Sequence, residues 1–387
     1  MKKPNLFLYI TLGFLVKIFS ILKGQKIVEK TNIKGPAICL SNHTSFYDFI
    51  YTTAALYPKR VSYLAASKMF YEKSTRPFLK LARAIPKSLM QADPAATLKA
   101  FKLLKKKSIL SIFPEGQISP SGETLRPAFS IAKFLKKANV DVYIIKHEGA
   151  GFVNPPWTKK TFKGRIETRK FLLISKEDLV KLSLDEIYHK VCEGLSFKPS
   201  DFIEQKGYTY RMNDLSGLEN VIYECPKCMH EGLIAQKDRL TCPKCSLELK
   251  IDQKGLLEHK AINTWFHMQE ERVRNRVIQD QSYHLDGSVK LMSFRGSNLV
   301  EVGSGKLNLY PTYYQYDGTV DGEIQTLTFN VESTPTLPSD IGRNVQIYEG
   351  YQIYQFEFDK PWLPTKFVHV GEFYYEKNKN NSLNDII

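Results

Sequence analysis

The sequence predicts an N-terminal α/β domain with a mixed sheet flanked by helices, a small cysteine-rich segment, and a C-terminal antiparallel β-barrel or sandwich. Three observations lead to this prediction. Short apolar strands alternate with amphipathic helical patterns over the first half of the chain. Four cysteines then follow as two CPKC pairs, and the remaining third alternates β-branched or aromatic residues with polar ones. At 387 residues, the chain is long enough for two or three hydrophobic cores.

Charge is divided unevenly between these parts. Residues 1–200 hold 35 Lys and Arg against 14 Asp and Glu, a net +21, whereas residues 201–387 hold 20 against 26, a net −6. A strongly basic module is attracted to polyanions such as anionic lipid headgroups, phosphorylated substrates or nucleic acid. The alternative is that this charge serves only solubility.

Residues 1–24 begin with a basic start and continue as an apolar run that Lys17 interrupts. No small-residue cleavage site follows, so we expect this segment to remain on the mature protein. On a helix, apolar side chains would cover all but one narrow face, which carries Gly13, Lys17, Ser20 and Gly24. This pattern favours a helix embedded at a membrane interface, with the protein peripheral or monotopic on the cytoplasmic face. A core helix and a transmembrane helix remain alternatives.

Residues 25–198 form the predicted α/β domain. GPAICLSNH and SILSIFPEG have the pattern of buried strands that end in loops, and VDVYII and GRIET are further strands. Helical patterns cover residues 94–107 and 130–138, and KEDLVKLSLDEIYHKVCEGL is an amphipathic helix that closes the domain. In such layered folds, reactive loops lie at the carboxyl ends of strands.

The second half is predicted to contain four segments: a polar linker at 199–222, the cysteine pairs within 223–260, a helix at 261–282 and a small β domain at 283–378. The strands of the β domain include NVQIYEGYQIYQFEF and KFVHVGEFYY, and Asp317-Gly318 and Glu349-Gly350 supply turns. The run of short strands and the closing aromatic stretch weakly resemble pleckstrin-homology or GRAM-like domains, which contact lipids or proteins. A β-sandwich that packs on the first domain is the alternative.

The sequence NHTSFYD contains a histidine and an aspartate five positions apart, directly after a strand. Across one helical turn or loop, the carboxylate of Asp48 can hold the imidazole of His43 in the tautomer whose other nitrogen accepts a proton. The chain has no GxSxG motif to supply an enzyme nucleophile. The proton that His43 removes would therefore belong to a substrate hydroxyl, which attacks an activated acyl carbon directly. A purely structural histidine is the alternative.

The sequence FPEG follows a second apolar strand. Pro114, Glu115 and Gly116 make a rigid turn that exposes backbone N–H groups and a carboxylate at the end of the strand. Such a turn can bind a polar headgroup or a thioester. Taken by itself, it is also compatible with an ordinary surface turn.

In this order, the two motifs resemble the glycerolipid acyltransferase family, which includes the 1-acylglycerol-3-phosphate acyltransferases of phospholipid biosynthesis. The resemblance covers residues 25–198, close to half of the chain. It implies a membrane-surface enzyme that moves a fatty acyl group from acyl-CoA or acyl-carrier protein to a hydroxyl of a glycerolipid similar to lysophosphatidic acid. It also implies roles for single residues: His43 as general base, Asp48 as its orienting partner, and substrate binding by Lys68, Pro114, Glu115 and Gly116.

The chain departs from the family pattern after FPEG. Gln117 and Ile118 stand where the family usually has Thr-Arg, so the guanidinium expected to clamp the acceptor phosphate is missing. Arg126 or Lys87 could take its place. This departure also keeps open a second hypothesis, a non-catalytic lipid-binding or scaffold protein built on a degenerate acyltransferase domain.

Two CPKC pairs separated by thirteen residues resemble a zinc ribbon. All four ligand positions are cysteine, which leaves no site for water and predicts a structural Zn²⁺. An iron–sulfur site or free thiols are the alternatives. No nucleic-acid partner is expected, because this part of the chain is acidic. The four predicted ligands are Cys225, Cys228, Cys242 and Cys245.

Overall fold

The computed structural model divides the chain into two compact units. Unit 1 comprises residues 1–213 and 252–263, and unit 2 comprises residues 214–251 and 264–387. The residues that the structure describes are 3–71, 75–88, 93–280, 282–296, 298–350 and 352–384.

The described part of unit 1 contains a sheet of seven strands in the order β1-β7-β6-β2-β5-β3-β4. Neighbouring strands are parallel, except that β6 and β7 are antiparallel. The mixed sheet predicted from the sequence is thereby confirmed. The strands are β1 (Gln25–Glu29), β2 (Ala37–Ser41), β3 (Val61–Ala66), β4 (Ile85–Lys87), β5 (Ile109–Ile112), β6 (Asp141–Glu148) and β7 (Ile166–Ile174).

Helices cover both faces of this sheet. Side chains alternate between the two faces of a strand, so Ile38 and Leu40 of β2 enter one core and Ala37 and Cys39 enter the other. The first core is completed by α4, α5 and α8, and the second by α1 and α2. The helices are α1 (Leu6–Leu22), α2 (Asp48–Leu56), α3 (Arg76–Leu81), α4 (Pro94–Leu104), α5 (Ser130–Ala138), α6 (Ala150–Val153), α7 (Lys176–Lys181), α8 (Leu184–Leu195) and α9 (Pro199–Lys206).

The end of unit 1 differs from the sequence prediction in its helices. The single helix predicted from Lys176 onward is two, because Ser183 starts a new helix through a capping box. The Ser183 hydroxyl accepts the Glu186 N–H at 3.2 Å, and the Glu186 carboxylate accepts the Ser183 N–H at 2.7 Å. The stretch predicted as a polar linker begins with α9, which buries Phe202 and Ile203.

The N-terminal helix α1 begins at an N-cap, where the Asn5 side chain accepts the Leu8 N–H at 3.1 Å. Gly13 and Ser20, two residues of the narrow face described above, are buried. A Cβ on Gly13 would lie 3.0 Å from the Tyr57 ring. No helix in the described residues is long and apolar enough to cross a membrane. Ten large apolar side chains of α1 are at least 40% exposed: Leu6, Phe7, Leu8, Ile10, Leu12, Phe14, Leu15, Ile18, Ile21 and Leu22.

In the described part of unit 2, seven strands form an antiparallel sheet in the order β14-β13-β12-β11-β17-β16-β15, and three short strands form a second sheet, β10-β9-β8. The short strands are β8 (Ile234–Gln236), β9 (Arg239–Thr241) and β10 (Glu248–Lys250). The large sheet consists of β11 (Leu285–Arg295), β12 (Asn298–Leu309), β13 (Tyr313–Val320), β14 (Glu323–Asn330), β15 (Ser339–Asp340), β16 (Asn344–Glu349) and β17 (Gln352–Phe358). The unit is completed by helix α11 (Leu363–Asn384) and by helix α10 (Ile262–Gln279), of which the part from Thr264 onward belongs to this unit.

The segment KFVHVGEFYY, predicted as a strand, is helical and belongs to α11. The prediction is wrong because it followed the aromatic and β-branched content of the segment, whereas the buried positions have the spacing of a helix. Leu363, Phe367, Val370 and Tyr374 recur every three or four residues and are buried together against the large sheet. The predicted antiparallel sheet is present, and α11 covers it where a sandwich would have placed a second sheet.

Candidate functional site

His43 and Asp48 meet at the carboxyl end of β2. Asp48 is the first residue of α2, so the intervening loop folds back over its carboxylate. The Asp48 Oδ2 atom lies 3.1 Å from the Nδ1 atom of His43, and it accepts the N–H groups of Thr44 at 2.7 Å and Ser45 at 2.8 Å. With Nδ1 donating to the carboxylate, Nε2 is the nitrogen that can accept a proton.

The two side chains differ in their access to solvent. The His43 side chain is 19% exposed, whereas that of Asp48 is fully buried. The imidazole is stacked on the Phe113 ring, with 4.4 Å between the ring centroids. A substrate can therefore reach the imidazole from outside, while the carboxylate acts only through it.

Glu115 lies on the neighbouring strand end, since β5 pairs with β2. Its Oε1 atom accepts the His43 N–H at 2.8 Å, and its Oε2 atom accepts the Leu125 N–H at 2.9 Å. Burial raises the pKa of Glu115 to about 8, although the two N–H groups act in the opposite direction. The carboxyl group therefore connects the loop that carries His43 with two parts of the segment between β5 and α5. Gly116 allows this turn because its φ of 77° is in the left-handed region.

A second set of contacts fixes the end of β2 to β6. The Asn42 side chain donates to the His147 carbonyl at 3.0 Å and accepts the His147 N–H at 2.8 Å. The His147 ring lies 2.8 Å from the Thr52 hydroxyl and 2.9 Å from that of Thr168. Burial lowers the pKa of His147 to about 4, so this imidazole is neutral near pH 7. The sequence prediction missed both residues, although Asn42 stands directly before His43.

Lys68, predicted to bind substrate, and Lys87, a possible replacement for the missing arginine, lie at the same edge of the sheet. Lys68 follows β3 in a short 3₁₀ helix, and Lys87 ends β4. Strands lie about 4.8 Å apart, so these strand ends are roughly 10 Å and 14 Å from that of β2. The Lys87 ammonium donates to the Ser88 carbonyl at 2.9 Å, and burial lowers its pKa.

Arg126 has a different environment. Its Nε atom donates to the Tyr188 hydroxyl at 3.1 Å, and its guanidinium carbon lies 5.8 Å from the centre of the Tyr188 ring. Gln117 and Ile118, which follow FPEG, are both partly buried. Neither residue is charged, so the two positions directly after FPEG bring no cation to the site.

The second candidate site is the cysteine cluster of unit 2. Its four Sγ atoms all lie within 4.8 Å of one another, and two pairs are 3.6 Å apart. A tetrahedral ion with 2.3 Å bonds would need sulfur atoms about 3.8 Å apart. Both CPKC turns have the same form: the N–H groups of Met229 and Ser246, each with positive φ, donate to a cysteine carbonyl at 3.0 Å. The four thiols, those of Cys225, Cys228, Cys242 and Cys245, suit one divalent ion.

The first half of the chain is similar to known acyltransferases. A family model described as Acyltransferase matches residues 22–146, which include both motifs. Over 149 residues, the chain is 28% identical to the 1-acyl-sn-glycerol-3-phosphate acyltransferase of Bacillus subtilis (strain 168), covering 38% of this chain and 71% of that protein. The solved structure of the 1-acyl-sn-glycerophosphate (LPA) acyltransferase PlsC from Thermotoga maritima is 18% identical, with a TM-score of 0.41, and the match covers 52% of this chain and 79% of that one. The family match and the sequence relative confirm the resemblance drawn from the motifs.

Proposed function

We propose that this acyltransferase, which belongs with the glycerolipid acyltransferases, transfers a fatty acyl group from acyl-CoA or acyl-carrier protein to a hydroxyl of an acceptor similar to lysophosphatidic acid. The observation that carries the proposal is the 3.1 Å contact between His43 and Asp48 beside a buried Glu115. Its role in the cell would be phospholipid biosynthesis.

In the proposed reaction, Nε2 of His43 removes the proton of the acceptor hydroxyl as its oxygen attacks the thioester carbon. A new C–O bond forms, the C–S bond breaks, and the imidazolium returns the proton to the departing thiolate, which leaves as a thiol. A positioned general base contributes roughly 10²–10⁴-fold to the rate. Asp48 keeps Nδ1 protonated and stabilises the imidazolium. Glu115 acts on the backbone of His43 and is a positioning residue.

The phosphate of the acceptor needs a cation that the FPEG loop does not supply. We assign this role to Lys87, with Lys68 as the second cation. Lys68 follows β3 and Lys87 is the last residue of β4, at the same edge of the sheet as His43, whereas the guanidinium of Arg126 lies against Tyr188. Lys87 is partly buried, so an arriving phosphate would offset the cost of keeping its charge out of water.

Steady-state kinetics with acyl-CoA and purified protein test these assignments. His43→Ala should abolish transfer to lysophosphatidic acid. Lys87→Gln should raise the KM for lysophosphatidic acid and leave the KM for a neutral monoacylglycerol unchanged, and Arg126→Gln serves as its control. Failure of the wild type on every glycerolipid acceptor would favour the alternative, a non-catalytic lipid-binding or scaffold protein.

We further propose that α1 attaches the enzyme to the cytoplasmic face of a membrane as a peripheral or monotopic protein. Ten exposed apolar side chains on one 17-residue helix form a patch that a soluble protein rarely leaves in water. Replacing Leu15, which is 59% exposed, by glutamate should reduce binding to lipid vesicles in a flotation assay.

For the cysteine cluster, we propose a structural Zn²⁺ held by all four thiolates. A closed set of four sulfur ligands supplies folding energy to a segment too small to build its own core. Elemental analysis should find about one zinc per chain. Iron in its place, or no metal at all, would contradict the assignment.

A further inference from the structure

We propose that seven basic residues beside the N-terminal end of α1 form a second, electrostatic contact with an anionic membrane surface. This basic rim consists of Lys30, Lys34, Lys59, Arg60, Lys105, Lys106 and Lys107. The inference rests on the proposed membrane attachment of α1 and adds to it the residues that select anionic lipid headgroups and orient the enzyme.

The topology of unit 1 brings the rim together. Strands β2, β3 and β5 run parallel, so they begin at one edge of the sheet. The loops that enter them, residues 30–36, 57–60 and 105–108, hold all seven cations and contain no Asp or Glu. Seven positive charges without a carboxylate in the same loops make an attractive surface for anions.

Two hydrogen bonds connect this edge to the residues that directly precede α1. The Lys3 ammonium donates to the Lys107 carbonyl at 3.0 Å, and the Arg60 guanidinium donates to the Pro4 carbonyl at 3.0 Å. The rim therefore adjoins the exposed apolar face of the helix at Leu6 and Phe7. Cations bordering an apolar helix face are typical of segments that bind anionic bilayers.

Some cations of the rim also have a role within the protein. The Lys59 ammonium bonds to the Ile33 carbonyl, and lysines after a helix favour its C-terminal dipole. Lys34, Lys105, Lys106 and Lys107 are different, because they are exposed and form no ion pair with a described residue. These four can turn toward headgroups without breaking a contact that the structure shows.

The position of α1 relates the rim to the active site. Helix α1 is about 26 Å long at 1.5 Å per residue. Near its C-terminal end, Phe19 stacks on Tyr47 of the loop that carries His43, with 6.0 Å between the ring centroids. The helix thus touches the rim at one end and the active-site loop at the other. Headgroup contacts at the rim would fix how the helix lies in the interface and how His43 faces the lipid.

A soluble acidic acyl carrier is a less suitable partner for the rim. It would dock at the edge where the strands begin, while His43 lies where β2 ends. Five residues of strand separate the two edges, about 16 Å, and the helices that cover the sheet stand between them.

A matched pair of triple variants tests the proposal. Lys105→Gln, Lys106→Gln and Lys107→Gln together remove three charges from the rim. The control, Lys133→Gln, Lys190→Gln and Lys198→Gln, removes three charges from exposed lysines of α5, α8 and the residue before α9. Flotation is measured with vesicles of phosphatidylcholine alone and of phosphatidylcholine mixed with phosphatidylglycerol. The rim variant should bind mixed vesicles about 10- to 100-fold more weakly than the wild type, and the control should differ by less than about threefold.

Equal losses in the two variants would show that net charge alone attracts the protein and would overturn the proposal. Unchanged binding by the rim variant would overturn it as well. If the wild type binds neither vesicle, the attachment through α1 fails together with the rim. Acyl transfer to lysophosphatidic acid dispersed in detergent should be the same in the rim variant and the wild type, so this activity reports separately on the proposed reaction.

Discussion

Asp48→Asn isolates the electrostatic part of the proposed mechanism, since the amide has nearly the same shape as the carboxylate. An amide oxygen at the position of Oδ2 can still accept the bonds from His43, Thr44 and Ser45. What disappears is the negative charge beside an imidazole that becomes positive during the reaction. The substitution should therefore lower kcat far more than it disturbs the fold.

The size of the effect follows from Coulomb's law. Two unit charges about 4 Å apart attract by about 4 kcal/mol at an effective dielectric constant near 20. At 1.4 kcal/mol for each factor of ten, kcat should fall about 10³-fold. The new amide nitrogen would occupy the position of Oδ1, which is buried and has no hydrogen-bond partner among the described residues. An unsatisfied buried donor costs about 1–3 kcal/mol, so we expect a lower Tm with a retained fold.

Release of the thiol from acyl-CoA under saturating acceptor gives kcat, and thermal unfolding by circular dichroism gives the fold control. His43→Ala and the double variant complete a mutant cycle. The two residues act as a unit, so the double variant should be hardly slower than His43→Ala. An Asp48→Asn protein that keeps more than about a tenth of wild-type kcat would refute the electrostatic role.

Three further predictions concern other parts of the molecule. Burial raises the pKa of Glu115 to about 8, so the folded state keeps a proton that the unfolded state releases near pH 4.5. As the pH rises between these two values, the free energy of unfolding should fall by up to about 1.4 kcal/mol per pH unit. Thermal unfolding from pH 5 to 8.5 should show a fall in Tm that Glu115→Gln flattens, and an identical slope in both proteins would contradict this. Cys242→Ser should lose the metal, measured by elemental analysis, and should destabilise unit 2 first in hydrogen exchange. Asn42→Ala should leave two backbone groups of His147 unpaired, lower the Tm and reduce kcat without changing KM; a changed KM with an unchanged kcat would argue against a positioning role.

The parts of the fold that the sequence predicted are those in which local pattern and tertiary structure agree. The apolar runs before NHTSFYD and FPEG are fully buried strands, and the helix over 130–138 has the predicted bounds. The turn predicted at Asp317-Gly318 is wrong, because both residues lie within β13 and pair with β12. Two other errors occurred where two signals competed. In α11, aromatic and β-branched residues suggested a strand, while the spacing of Phe367, Val370 and Tyr374 followed a helix. The helical spacing of apolar residues continues from α7 into α8, so it did not indicate that a new helix starts at Ser183.

The sequence predicted those contacts of the candidate site whose residues belong to one short motif. The spacing of His43 and Asp48 predicts their contact because both belong to one loop and helix start. The bond between Asn42 and His147 joins positions 105 residues apart, and it exists only because β2 and β6 are neighbours in the sheet. Likewise, the approach of Glu115 to the backbone of His43 depends on the pairing of β5 with β2. Contacts of this kind follow from topology, which one sequence leaves open.

Mass spectrometry of the lipid product tests whether the protein transfers an acyl group to lysophosphatidic acid with His43 as the base. Purified wild-type protein, given acyl-CoA and lysophosphatidic acid, should produce the diacylated phosphatidic acid together with an equal amount of CoA. The His43→Ala protein, folded by the same circular dichroism criterion, should produce neither. Product formation by His43→Ala at a rate comparable to the wild type would contradict the assignment of His43 as the general base, and no product from the wild type with any glycerolipid acceptor would contradict the proposed reaction itself.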